Sequence, residues 1–101
     1  MPVSERRKGL RGQQEVQRLV KAAGLTIRRL THSGDALVDA SRGHRLHIET
    51  KRQERPRPGE WIRQAQEEAP RGVMPVVAWR QSRGEWYAIL PLKDLLRLSG
   101  E

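Results

Sequence analysis

The sequence predicts a single α/β domain with a mixed sheet and the element order α-β-β-β-α-β-β-α. Apolar residues recur at helical spacing near the N-terminus and again in the middle of the chain. Between and after these segments lie short alternating stretches bounded by glycine-containing turns, a pattern typical of strands. The chain has 101 residues, enough for one modest core, and shows neither an internal repeat nor a second domain.

The first half of the chain predicts one helix followed by three strands. Over 9–24, Val16, Leu19 and Val20 follow helical spacing, and Gly24 is a natural C-terminal stop. Alternating apolar residues and turns that contain glycine then define the strands. These strands are predicted over 25–30, 35–40 and 44–51.

The second half begins with an abrupt change in composition. Residues 52–59 are polar, basic and interrupted by two prolines, so they are predicted to form a loop. The amphipathic segment after it ends at Pro70, because proline cannot continue a helix. The remaining predicted elements are a helix over 60–69, strands over 75–80 and 85–90, and a helix over 92–98.

Charge and composition limit the classes of function. The net charge is +8, and sixteen of the twenty cationic residues are arginine, whose fork matches phosphate geometry, so we expect nucleic-acid binding. Cysteine is absent, which excludes disulfides and thiolate metal sites. No apolar run long enough for a membrane span and no apolar secretory segment is found, so a cytoplasmic protein without a membrane partner is expected.

Two carboxylates and a lysine form the most informative pattern. Asp35 begins the second predicted strand, and Glu49-Thr50-Lys51 ends the third, fourteen positions after Asp35. Alternate residues of a strand share a face, so Glu49 and Lys51 point the same way while Thr50 points opposite. Two carboxylates suit Mg²⁺, and a neighbouring ammonium can hold a water or a phosphate oxygen. The pattern predicts a metal-dependent phosphodiesterase site.

These residues, together with the element order, resemble the PD-(D/E)XK nuclease superfamily, and within it the small archaeal and bacteriophage Holliday junction resolvases. The resemblance runs from Lys8 to about Leu95 and implies a restriction-endonuclease-like core. The segments that carry it are Lys8-Gly9 with Glu15, Gly34-Asp35, Ile48-Glu49-Thr50-Lys51, a helix with Trp61 and glutamines, and Pro75-Val76-Val77. The chain departs from the family pattern in having Gly34 where proline is usual, and Val16 where a basic residue often follows the glutamate.

The resemblance also implies roles for individual residues. Asp35, Glu49 and the backbone carbonyl of Thr50 would bind Mg²⁺, or Mn²⁺ in its place, and Lys51 would be catalytic. Glu15 would lie beside the metal as a further catalytic acid. A helix glutamine, Gln64 or Gln66, would complete the site, and the spacing does not choose between the two.

DNA contacts are expected from the basic N-terminal tail (1–8), from the Pro-rich loop and from residues near the site. That loop is either an arm that clasps a duplex or a disordered connection. Arg11 or Arg18 would supply the phosphate contact that Val16 cannot make. The predicted DNA-binding set is Arg6, Arg7, Lys8, Arg11, Arg28, Arg29, Ser33, Arg52, Arg55, Arg57, Gln64 and Gln66.

Other interpretations of the same residues remain open. Asp35 could be a turn residue, with Asp39 as a competing aspartate on the same strand face, and Glu15 could simply face solvent. The three histidines are not expected to form a metal cluster, although His47 shares the face of Glu49 and could contact DNA.

The function implied by the resemblance is a structure-selective, metal-dependent endonuclease that resolves four-way DNA junctions by paired phosphodiester hydrolysis. Its partner would be branched double-stranded DNA, with no small-molecule cofactor. Because two strands must be cut and the chain carries one site, a homodimer is expected, and a bacteriophage source fits the resemblance. Two alternatives are the same chemistry in another DNA enzyme (a nickase, a flap or mismatch endonuclease, or a general DNA nuclease) and a noncatalytic basic DNA-binding domain.

Overall fold

A computed structural model describes residues 3–31 and 33–100, with side chains from residue 9 onward within those ranges. It confirms a mixed α/β fold with three helices and a five-stranded sheet. Among the described residues, no helix combines the length and the apolar character needed to cross a membrane. The elements are α1 (Val3–Ala22), β1 (Thr26–Leu30), β2 (Ala36–Asp39), a 3-10 turn (Ser41–Gly43), β3 (Arg45–Arg52), α2 (Pro58–Glu68), β4 (Met74–Arg80), β5 (Tyr87–Ile89) and α3 (Leu92–Gly100).

The strands follow one another across the sheet in chain order, from β1 to β5. Neighbouring strands are antiparallel except β3 and β4, which run parallel with Glu49 opposite Val77. A parallel pair needs a crossover connection, and α2 provides it. The β2–β3 hairpin pairs Leu37 with His47, so the start of β2 lies against the middle of β3.

The two faces of the sheet are covered by different helices. On one face, α1 contributes Val16 and Val20 to the main core; their sheet partners are Ala36, Val38, Ile48 and Val76. On the other face, Trp61 and Ala65 of α2 pack on Val77. Residues of β3 alternate between these environments, so Ile48 faces α1 while His47 and Glu49 face the α2 side.

Several element boundaries differ from the predictions for physical reasons. The first helix begins at Val3, earlier than predicted. It ends at Ala22, because Gly24 takes the left-handed conformation (φ 82°) that terminates helices. The second helix starts at Pro58, earlier than predicted, since proline at the first helical position has a suitable φ and needs no hydrogen-bond partner for its nitrogen. The last strand covers only Tyr87–Ile89, shorter than predicted.

Candidate metal centre

The β2–β3 hairpin brings together the two predicted carboxylates and a histidine. Asp35 precedes β2 by one residue, and the pairing of Ala36 with Ile48 places it beside the middle of β3. His47 and Glu49 are two apart on β3 and therefore share a face. The ligand atoms of Asp35, His47 and Glu49 all lie within 4.8 Å of one another. We call these three residues the Asp35 cluster.

The cluster is buried, although all three side chains are polar. Asp35 is 9 % exposed, and His47 and Glu49 are each 3 % exposed. Oε1 of Glu49 and Nδ1 of His47 have no hydrogen-bond partner among the described residues. Leaving a buried polar group without a hydrogen bond costs about 1–3 kcal/mol. A buried carboxylate oxygen without a partner in the protein is therefore expected where an ion or a water binds it.

A turn of hydroxyl residues orients the Asp35 carboxylate. Oγ of Ser33 donates to Oδ2 of Asp35 at 3.3 Å, and Oγ of Ser33 lies 3.2 Å from Oγ1 of Thr31. The backbone N–H of Asp35 donates to Oγ1 of Thr31 at 3.1 Å. The turn therefore fixes the aspartate before β2 begins. Asp35 occupies a turn and a cluster at once, so the two interpretations of this residue are compatible.

Gly34 is required by the backbone of this turn. Its φ is +91°, which proline cannot adopt and other L-residues adopt only with strain. An added Cβ would also lie 2.5 Å from the Gln13 side chain, whose Nε2 donates to the Ser33 carbonyl at 2.9 Å. The positive φ explains why glycine, rather than proline, precedes the aspartate, whereas the end of the Gln13 side chain could move aside.

Burial and neighbouring carboxylates raise the pKa values of both acids in the cluster. For Glu49, desolvation is the largest cause, followed by a hydrogen bond with Glu68 and repulsion from Asp35, and together they raise its pKa to about 8. The positive charge of Lys51 opposes this shift. Desolvation also raises the pKa of Asp35, while His47 lowers it. A positive ion in the cluster would relieve this penalty by favouring the ionised carboxylates.

Glu68 is a neighbour of the cluster that no sequence pattern indicated. It lies at the end of α2, hydrogen-bonds with Glu49, and this bond lowers the Glu68 pKa. Nε2 of Gln64 donates to Oε1 of Glu68 at 3.1 Å, so Gln64 rather than Gln66 is connected to the cluster. The i, i+4 spacing of Gln64 and Glu68 was visible in the sequence, but which face of α2 meets β3 was not.

An open cleft of about 760 Å³ lies beside the cluster, at the carboxyl end of β3. It runs between Gly9 of α1, Lys51 of β3, the Pro-rich loop and the start of α2. Its basic lining residues are Lys51, Arg52, Arg55 and Arg57. Glu54 and Glu60 also line the cleft, so its four cations leave a net positive lining next to the buried acidic cluster.

The Pro-rich loop is anchored where it leaves β3. Nε1 of Trp79 donates to the carbonyl of Gln53 at 2.8 Å, and Nε2 of Gln81 donates to the carbonyl of Glu54 at 2.8 Å. The backbone N–H of Ser82 also donates to the Glu54 carboxylate at 2.9 Å. The expectation of a disordered connection is therefore not supported at Gln53 and Glu54, and the loop forms one wall of the cleft.

Glu15 is not brought to the cluster, contrary to the prediction from the resemblance. Its carboxylate accepts hydrogen bonds from Arg80 and, at 3.1 Å, from Nε1 of Trp86, and Nη1 of Arg52 lies 3.7 Å away. Arg52 and Arg80 lie on the α1 face of the sheet, with Ile48 and Val76. The sequence does not show whether Glu15 contacts the cluster or Arg80, because the rotation of α1 about its axis decides which residues its side chain meets.

Asp39, the competing aspartate, is also placed elsewhere. It lies at the far end of β2 and pairs with Arg28, with Oδ2 3.0 Å from Nη2. This hydrogen-bonded ion pair lowers the Asp39 pKa. Arg28, predicted to contact DNA, is thus paired on the edge of the sheet rather than in the cleft.

The other predicted residues have mixed placements. Thr50 turns its side chain to the α1 face, where its methyl group lies beside Gly12, so only its backbone carbonyl could serve as a ligand on the cluster side. Arg11, Arg18, Arg29 and Gln66 are exposed, and Gln66 is not among the residues that line the cleft. The side chains of Arg6, Arg7 and Lys8 lie outside the described part of the chain.

The cluster fits a divalent metal ion by its donors and spacing. Ion–ligand distances of about 2.0–2.2 Å separate two opposed ligands by about 4.0–4.4 Å, close to the 4.8 Å limit within which these atoms lie. The three histidines were not expected to form a metal cluster with one another, and the Asp35 cluster does not contradict this, since it contains His47 together with two carboxylates. The signal for His47 was present in its two-residue spacing from Glu49, which puts both on one strand face.

Comparison with known protein families, with curated proteins and with solved structures found no match to this chain.

Proposed function

We propose that this protein is a metal-dependent DNA endonuclease of the PD-(D/E)XK kind, hydrolysing phosphodiester bonds with Mg²⁺ or Mn²⁺. The observation that carries the proposal is Glu49: a carboxylate 3 % exposed, with a partnerless oxygen, beside Asp35 and His47 and two residues before Lys51. A purely structural site would be expected to satisfy that oxygen with a donor.

The residues of the cluster have distinct parts in this chemistry. Asp35, Glu49 and His47 would hold the ion, which when bound would offset the negative charge that builds up on the phosphate oxygens during hydrolysis. Ser33 and Thr31 keep the Asp35 carboxylate in position. Lys51 shares the face of Glu49 and lines the cleft, so its ammonium can hold a phosphate oxygen or the attacking water.

The cleft supports DNA as the substrate. Arg55 and Arg57 are exposed along its rim, and the chain carries a net charge of +8. Contacts of this kind bind the phosphate backbone without reading sequence. Because Arg55 and Arg57 line the same cleft as Lys51, a DNA backbone bound there would pass next to the cluster.

The proposed substrate is a four-way junction cut by a homodimer, an assignment that rests on the family resemblance. Paired cuts require two sites, which a symmetric dimer supplies. Leucines of α3 offer apolar surface for such an interface: Leu92 is 66 %, Leu95 44 % and Leu96 58 % exposed. Sedimentation that shows only monomer at micromolar concentration, with or without DNA, would contradict the dimer.

The experiment that tests the proposal compares a synthetic four-way junction with a linear duplex of matching sequence. Each is incubated with Mg²⁺, with Mn²⁺ or with EDTA, using the native chain, Glu49→Ala and, as a matched control, Glu85→Ala. Glu85 is an exposed glutamate between β4 and β5, outside the cluster.

We expect paired nicks in the junction alone, lost with EDTA and with Glu49→Ala but retained in Glu85→Ala. DNA binding by Glu49→Ala should persist, since the arginines that line the cleft are unchanged. Equal cutting of both substrates would keep the nuclease and reject the junction. Binding without cutting under either metal would reject catalysis and favour a noncatalytic DNA-binding domain.

A further inference from the structure

The Asp35 cluster contains an imidazole as well as two carboxylates. Oxygen ligands alone would be enough to bind Mg²⁺. His47 is 3 % exposed, and its Nε2 lies 3.4 Å from Oδ2 of Asp35. It is held on β3, between two paired strands, so its position is fixed by the sheet and not by a mobile loop. Its donor nitrogen is therefore a built part of the cluster.

Nε2 of His47 is not committed to a strong hydrogen bond. A charge-assisted N–H···O bond to a carboxylate spans about 2.7–2.9 Å, shorter than the 3.4 Å observed between these atoms. On the opposite side of the ring, Nδ1 is buried and has no hydrogen-bond partner among the described residues. A histidine that served only to position Asp35 would be expected to bond it more closely, whereas this distance suits two ligands that share an ion.

The nature of the donors determines which ion they favour. Mg²⁺ is a hard cation that prefers oxygen, needs near-ideal octahedral geometry and keeps several waters. Imidazole nitrogen suits first-row transition ions such as Zn²⁺, Cu²⁺, Fe²⁺ and Ni²⁺, whereas carboxylates suit Mn²⁺ as well as Mg²⁺. A mixed site of two carboxylates and one imidazole thus gives a transition ion a ligand that Mg²⁺ uses poorly.

We propose that the Asp35 cluster selects a first-row transition-metal ion over Mg²⁺, with Mn²⁺ as the ion for hydrolysis, and that Nε2 of His47 sets this preference. The inference rests on the proposed metal-dependent function and specifies its metal. Mn²⁺ is the member of the series best matched to a site that is mainly carboxylate and must also meet phosphate oxygens. A site with oxygen ligands only would not owe its choice of metal to a single histidine.

The test measures metal binding directly, without relying on cleavage. Tag-free protein, stripped with EDTA and dialysed, is titrated with Mn²⁺ alone and with Mg²⁺ alone by calorimetry. Pulsed electron paramagnetic resonance of the Mn²⁺-loaded protein then detects any nitrogen bound to the metal. The native chain should bind Mn²⁺ at least about tenfold more tightly than Mg²⁺ and show the nitrogen coupling.

Two variants and a control identify the ligand. His47→Asn and His47→Gln replace the imidazole with amides that offer oxygen, and His44→Asn alters a histidine outside the cluster that precedes β3. Loss of even an outer-shell partner weakens metal affinity by about 10–100-fold, so either His47 variant should weaken Mn²⁺ binding by at least tenfold. The Mg²⁺ affinity should change little, and the nitrogen coupling should disappear. His44→Asn should retain both.

Three results would overturn the inference. They are equal affinity of the native chain for both ions, Mn²⁺ binding without nitrogen coupling, and an unchanged Mn²⁺ to Mg²⁺ ratio in a folded His47 variant. If DNA cleavage still requires a divalent ion and Glu49, these results leave the proposed function standing. Absence of any metal binding by the native chain, with no cleavage, would reject both proposals. The native spectrum keeps the test decisive even if both His47 variants fail to fold.

Discussion

Nε2 of His47 lies 3.4 Å from Oδ2 of Asp35, across the hairpin that pairs β2 with β3. The aspartate comes from a turn and the histidine from the middle of a strand, and they meet because Leu37 is paired with His47. A register shift of one residue would turn His47 and Glu49 toward the α1 core and separate them from Asp35. Strand register therefore assembles the candidate metal centre.

Replacement of Asp35 by Asn should abolish metal-dependent cleavage, because an amide binds a divalent cation far less well than a carboxylate. We expect a loss of at least about 100-fold in cleavage rate, measured in single-turnover experiments with Mn²⁺. Asp39→Asn is the matched control on the same strand and should remain near the native rate, since Asp39 pairs with Arg28. Equal losses in both variants would contradict the assignment of Asp35.

Glu49→Gln should stabilise the metal-free protein at alkaline pH. The Glu49 pKa rises from the ordinary 4.5 to about 8 in the folded protein, so between these values the folded state holds a proton that the unfolded state releases. Stability of the native chain should therefore decrease as pH rises through this range and level off above it. Glutamine mimics the protonated acid, and at pH 8 we expect it to raise the unfolding free energy by about 1–2 kcal/mol.

Urea unfolding of both proteins in EDTA, at several pH values from 5 to 9, measures this effect. The difference between Glu49→Gln and the native chain isolates Glu49 from the other titrating groups. It should be small at pH 5 and grow toward pH 8. A difference that does not vary with pH would show that ionised Glu49 is not penalised in the folded state.

Gly34→Ala should destabilise the protein, whereas Gly59→Ala should stabilise it. Gly34 has φ +91°, a conformation that strains alanine, so a loss of about 1–3 kcal/mol is expected even if the end of the Gln13 side chain moves aside. Gly59 lies in α2 with open space around it, and alanine there should add about 0.5–1 kcal/mol. Thermal or urea unfolding tests the pair, and equal stability of the two variants would contradict the assigned backbone constraint.

Glu15→Ala should reduce stability without affecting metal affinity. The Glu15 carboxylate joins α1 to Arg80 and Trp86, and its removal leaves the Arg80 guanidinium without this acceptor, at a cost of about 1–3 kcal/mol. Calorimetric titration with Mn²⁺ should give native affinity at a temperature where the variant is folded. A tenfold weaker affinity would instead place Glu15 at the metal, as the family resemblance implied.

Arg55→Ala and Arg57→Ala should weaken DNA binding in a salt-dependent way. If each arginine contacts one phosphate of the bound backbone, its removal should lower the slope of log affinity against log salt by about one. Arg71→Ala is the control, because Arg71 is exposed after α2 and does not line the cleft. Fluorescence anisotropy at several salt concentrations measures the slope. Equal slopes in all three variants would remove the cleft from the binding surface.

The fold class and half of the candidate centre follow from local sequence patterns. Periodicity predicted the three helices, and alternation predicted the strands, because both patterns record which side of an element is buried. The spacing of Glu49 and Lys51 likewise fixed their common face, since strand geometry leaves no other choice. Asp35 was predicted only in combination with the Glu49-Thr50-Lys51 segment, because an isolated aspartate beside a glycine is equally typical of a turn.

Contacts between residues of different helices and strands could not be predicted, because they depend on the rotation of each helix about its axis and on the register in which strands pair. The sequence alone determined that Glu49, Lys51 and His47 share one face of one strand. Only the tertiary structure decided that Asp35 and Glu68 join that face, while Glu15 bonds Arg80 on the other side of the sheet. The reason is physical: side-chain periodicity is local to an element, whereas strand register and helix packing depend on contacts between residues far apart in the chain.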